Sequence, residues 1–160
     1  MSKATFYEHF ANKEECILAL FDRAAEVVLR AQAEAAAEAG PADAVERMRA
    51  GTRAFLSALA AHPEYAQTLL VEIIGAGPEA AVRRDQVIQR FADALDSENA
   101  AAARRGLIAR FPSRYDAYAI VGAITELVSR QVRRAEPENP LELAPVIDRL
   151  ILGVLSLGRP

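Results

Sequence analysis

The chain has 160 residues, enough for one domain with a sizeable core or one domain and part of another. Its formal net charge of −3 excludes a surface that is basic overall, so any nucleic-acid contact must come from a local element. A single cysteine, Cys16, excludes an intrachain disulfide and a cysteine-based zinc site; a buried, inert thiol in a reducing cytoplasm is expected.

No run approaches the roughly 20 apolar residues of a membrane span, and no signal-peptide pattern opens the chain, so a soluble, cytoplasmic protein is expected. Alanine, leucine, arginine and glutamate dominate, with Gly and Pro spaced like boundaries between long helices, which predicts an all-α fold. Ser2 caps a short helix over 3–9, and Asn12 with Glu15 forms a capping-box pattern for a long helix to about 39. Gly40 and Pro41 end it. Ile17, Leu20, Phe21, Ala24 and Val28 recur along it at helical spacing. A second helix over 42–61 carries Met48, Thr52, Phe55, Leu56 and Leu59 on one side. Pro63 opens the next, which reaches about 75, and the neighbouring His62 takes a local structural role. Pro78 starts another helix, with Val87, Ile88, Phe91 and Leu95 facing inward and Gly106 as its stop. Ser113 and Asp116 cap a helix to about 135; Asn139, Pro140 and Glu142 cap a last one over 140–157. Seven helices are expected.

The last two helices carry more apolar surface than one core needs. Between Ala117 and Val128 only Thr125 and Glu126 are strongly polar, and Ile151, Leu152 and Leu155 widen the stripe of the final helix. A homodimer is therefore expected, a four-helix bundle across a two-fold axis through Val121, Ile124, Val128, Val132, Val146, Leu150, Val154 and Leu157.

The most specific motif comes first: Ser2-Lys3-Ala4-Thr5-Phe6-Tyr7-Glu8-His9-Phe10, then Ala11-Asn12-Lys13-Glu14-Glu15. It resembles the recognition helix of the tetracycline-repressor (TetR) family running into that family's next helix. Phe6 and Phe10, four apart, form the buried seam of a short helix, leaving Lys3, Ala4, Thr5, Tyr7 and His9 on the other side. There Lys3 and Thr5 suit base edges or phosphates, Ala4 a thymine methyl, and Tyr7 and His9 phosphate oxygens. Lys13 resembles the family's phosphate-contacting lysine. Singly, these residues read better as an aromatic core patch and ordinary solvated charges; their joint order reverses that preference in favour of DNA.

The resemblance implies a one-component bacterial transcriptional regulator, a repressor released from operator DNA by a small-molecule effector. Residues 1–12 would belong to a helix-turn-helix domain and 13–160 to a helical effector-binding and dimerisation domain. The segment 118–132, with Gly122, Thr125 and Ser129 near one side, looks like the family's dimerising helix. One departure stands out: the family has two helices before this point and usually Gly-Val where this chain has Met1-Ser2. A GTG valine codon taken as the start gives such a beginning, as does truncation, so impaired operator binding is expected of the 160 residues.

An effector pocket is expected among Met48, Thr52, Phe55, Tyr65, Leu69, Phe91, Tyr118 and Glu126, aromatic and aliphatic walls with a few polar groups. Glu126 would pair with Arg53 or Arg130, or face a cationic or hydroxylated ligand. Two isolated histidines, one cysteine and no glycine-rich phosphate loop argue against an enzyme, a metal site or a cofactor. The competing reading is a helical, dimeric ligand-binding or protein-interaction module without DNA activity.

Overall fold

The computed structural model describes residue 10 and residues 12–40 and 43–157. The expected helix over 3–9, with Lys3, Ala4, Thr5, Tyr7 and His9, lies outside the described residues, as does the side chain of Leu157. Within them are six α-helices, two 3₁₀ turns and no strand.

Helix α1 (Lys13–Glu38) starts where Asn12, in an extended conformation, accepts the Glu15 N–H at 2.8 Å. Its core stripe is Leu18, Phe21, Ala25 and Val28. Cys16 lies off that stripe and is half-buried, not buried as expected. Helix α2 (Ala44–Ala61) begins two residues after the expected position, because the Asp43 carboxylate caps it through the Val45 and Glu46 N–H groups.

The expected helix over 63–75 is divided. Helix α3 (Pro63–Leu70) stops at Val71, and Glu72–Gly75 tightens into a 3₁₀ turn, where four of the five residues from 71 to 75 are β-branched or glycine. Gly77, at φ 105, makes the corner that only glycine adopts readily. Helix α4 (Pro78–Arg104) then runs unbroken to a Schellman closure, with Gly106 at φ 72 and the Leu107 N–H on the Ala102 carbonyl at 3.1 Å.

A complete capping box between Ser113 and Asp116 opens helix α5 (Arg114–Arg134). The expected last helix is also divided: Pro140–Leu143 is a 3₁₀ turn and helix α6 spans Ala144–Leu157, since Pro140 and Pro145 supply no N–H to a continuous first turn.

α1 lies along α2 and α4 along α5, while α6 packs mainly across α2. All six helices feed one core, whose fully buried large side chains include Phe21, Leu56, Ile73, Ile120 and Ile147. Among the described residues, no helix is long and apolar enough to cross a membrane.

A candidate effector cavity

A cavity of about 320 Å³ opens inside this core, bounded by all six helices. Its walls come from the inward stripes the sequence lays down: Met48, Thr52 and Phe55 from α2, Val87, Ile88 and Phe91 from α4. Phe55 and Phe91 meet edge to face, with ring centroids 6.4 Å apart at 76°. Leu69 of α3, Val121 and Ile124 of α5, and Ile147 of α6 close the apolar lining. The space stays open because facing positions carry little side-chain volume: Ala33 and Ala36 on α1, Gly51 on α2 and Ala94 on α4 all border it.

Three charged side chains also line the cavity. The Arg47 guanidinium donates to Glu98 at 2.7 Å and to the Ala36 carbonyl at 2.6 Å, bridging α2 to α4 and to the end of α1. Arg84 is half-buried and has no ion-pair or hydrogen-bond partner among the described residues. The Thr52 hydroxyl is taken up by the Met48 carbonyl at 3.2 Å.

Of the residues expected in an effector pocket, Met48, Thr52, Phe55, Leu69 and Phe91 share this cavity; Tyr65, Tyr118 and Glu126 do not line it. Tyr65 stacks against His62 at the start of α3, ring centroids 5.1 Å apart. Tyr118 instead borders a polar hollow with Asp93, Asp96 and Arg114, and its hydroxyl donates to Asp85 at 2.8 Å. That hydrogen bond, helped by burial and the Asp85 charge, holds the phenol above the ordinary tyrosine range, while Arg84 opposes the shift. Glu126 sits one helical step beyond Thr125, which puts it on the outer face of α5, where it is 71% exposed. It pairs there with Arg133 at 2.9 Å, not with Arg53 or Arg130; Arg53 pairs with Glu46.

The expected interface set also separates. Val128 is fully buried in its own subunit, and Val121 and Ile124 face the cavity, because α5 turns that side inward. Gly122 is half-buried, Thr125 lines the cavity and Ser129 is buried, so the side of α5 that these three share is turned largely into the core. Val132 is half-buried. On α6, Ile147, Ile151 and Leu155 point into the core, whereas Val146, Leu150 and Val154 form a second, partly exposed stripe. Lys13, the first residue of α1, is exposed.

Arg84, Arg47, Glu98 and Gln32 border the cavity without having been singled out in the sequence. Arg84 had a legible signal, its helical spacing to Val87, Ile88 and Phe91. The Arg47–Glu98 pair, 51 residues apart, had none.

No family model and no curated protein matches the sequence. Among solved structures, a TetR-family bacterial regulatory protein from Rhodococcus RHA1 superposes with a TM-score of 0.73 at 22% identity, over 97% of this chain and 80% of that one. The TetR-family transcriptional regulator PfmR from Thermus thermophilus superposes with a TM-score of 0.68 at 21% identity, over 98% of this chain and 82% of that one. The helix order, the core and these two superpositions agree: the chain has the fold of TetR-family transcriptional regulators.

Proposed function

We propose that this protein is a one-component, homodimeric transcriptional regulator, a repressor that leaves operator DNA when a small molecule enters the cavity. One observation carries the reading: in this fold, the helix that follows the recognition-like motif also walls the cavity. α1 begins at Lys13, three residues after Phe10, and its far half supplies Leu29, Gln32, Ala33 and Ala36 to the lining. A ligand there touches the same helix into which the sequence runs directly from the motif carrying Lys3, Ala4, Thr5, Tyr7 and His9, the residues proposed to read DNA. Differential affinity of the ligand for two α1 placements is the coupling that release requires.

Lys13 supports the DNA side. A cation at the N-terminus of a helix opposes the helix dipole, so its position is unfavourable for α1 itself and suits a phosphate partner. Residues 1–12 then form the end of the helix-turn-helix and 13–160 the effector-binding and dimerisation domain.

The test is to cross-link the protein, expressed from its own gene, to DNA in its own cells and to sequence what is recovered. Enrichment of a two-fold symmetric site, with half-sites about 34–36 Å apart or a multiple of that, is expected. Recovery no better than background leaves the ligand-binding module without DNA activity as the reading. On the enriched fragment, Lys13→Ala should weaken binding alike across sequences and reduce the salt slope by about one.

A further inference from the structure

We propose that the cavity takes an unbranched apolar chain ending in one carboxylate, and that Arg84 is the residue that recognises the carboxylate. The inference rests on the reading of the cavity as an effector site and names the ligand class.

Charge supplies the first half of the argument. Arg84, Arg47 and Glu98 line the cavity, and Arg47 and Glu98 neutralise each other at 2.7 Å. Arg84 stands on the inward stripe of α4, three, four and seven residues before Val87, Ile88 and Phe91, half-buried and unpaired among the described residues. The Arg84 guanidinium thus has its hydrogen-bonding fork free of a side-chain partner among the described residues and stands beside apolar walls, where such a fork binds a carboxylate through two parallel hydrogen bonds. A phosphate monoester, closer to two negative charges at neutral pH, matches that single charge less well.

Shape supplies the second half. Arg84 and Glu98 lie on one unbroken helix, about 21 Å apart at the α-helical rise, and both border the same space. A volume of about 320 Å³ is at the small end for ligand pockets, which run from about 300 to 1,000 Å³. A ligand that reaches from Arg84 towards Glu98 within so small a volume must be elongated, which favours a flexible chain over a compact caged or multi-ring body. The Phe55–Phe91 pair and the Ala33, Ala36 and Gly51 surfaces give it apolar walls.

Calorimetric titration of the whole protein at pH 7 with dodecanoate, dodecanol, dodecyltrimethylammonium and adamantane carboxylate tests both halves. Dodecanoate should bind once per subunit, at least about tenfold tighter than the other three. Arg84→Gln should weaken dodecanoate by about tenfold and leave dodecanol unchanged, and Arg84→Lys should restore part of the preference. Arg83→Gln, which removes an exposed partner of Asp22, should change neither. Dodecanol binding as tightly as dodecanoate, or a preference that survives Arg84→Gln, overturns the role of Arg84. Adamantane carboxylate binding tighter than dodecanoate overturns the chain. Both failures leave the cavity standing as an effector site. If none of the four binds, to the native protein or to Phe91→Ala, the ligand class and the effector site fall together.

Discussion

Asn99 shows how much one polar side chain can organise when it is buried with every partner present. It is 1% exposed on α4, and its Oδ1 accepts the Phe111 N–H at 2.9 Å and an Arg110 N–H at 2.7 Å, while its Nδ2 donates to the Ala109 carbonyl at 2.9 Å. The turn into α5 thus has its buried backbone groups satisfied by a residue ten to twelve positions upstream. Arg110 adds a two-pronged pair to Asp96, 2.6 Å on each arm, which raises the arginine's affinity for its proton despite some desolvation. Asn99→Leu keeps the volume and strands the Phe111 N–H and the Ala109 carbonyl. A loss of about 2–3 kcal/mol is expected, seen as a fall of roughly 4–12 °C in Tm. Asn99→Asp keeps the acceptor and should lose less. Thermal unfolding within about 0.5 kcal/mol of the native protein for Asn99→Leu counts against this account.

The boundaries of elements were legible where the chemistry is local, and obscure where it is not. The Asn12 cap, the Ser113–Asp116 box and the Gly106 closure are read from side chains within a few residues of the helix ends they serve, and each forms. The two divided helices were hidden because a 3₁₀ turn and an α turn share nearly the same apolar spacing over four residues. The cavity was half legible: Phe55 and Phe91 announce themselves as inward, but emptiness depends on where Ala33, Ala36 and Gly51 come to lie across from them. Val128 was misplaced for the same reason, since a helix apolar nearly all round does not say which side its neighbours cover. Arg47 is the element-scale device no spacing reveals. It donates to the Ala36 carbonyl at 2.6 Å and the Gly40 carbonyl at 3.4 Å, near the end of α1, and also grips Glu98. Arg47→Met should loosen that end while leaving the buried middle of α1 intact. Amide hydrogen exchange over residues 35–40 should accelerate about tenfold, with Phe21 to Val28 unchanged. Equal exchange in both proteins would show that α1 holds its end without the arginine.

At the scale of the whole molecule, α6 poses the main question, because it carries two apolar stripes and its own subunit covers only one. Ile147, Ile151 and Leu155 are buried, whereas Val146 is 40% exposed and Leu150, Leu152 and Val154 are half-buried beside it. Exposed Ala119 and Ala123, four apart, give α5 a low-relief surface that a partner helix can approach closely. The proposed homodimer covers this second stripe, and a specific interface there should bury at least about 1,000 Å² in total. Two-fold symmetry sharpens the test, since a residue near the axis meets its own copy. Val146→Glu then puts a carboxylate from each subunit into a desolvated seam, and the dimer should dissociate to folded monomers at micromolar concentration, as read by sedimentation velocity. Val82→Glu is the matched control: Val82 is 61% exposed on α4, and the same change there should leave the dimer whole. In a monomeric protein, Val146→Glu is an ordinary surface substitution worth no more than about 0.5 kcal/mol in either direction. A native protein that sediments as a monomer, or a Val146→Glu variant that still sediments as a dimer, would remove α6 from the interface and leave its outer stripe unexplained.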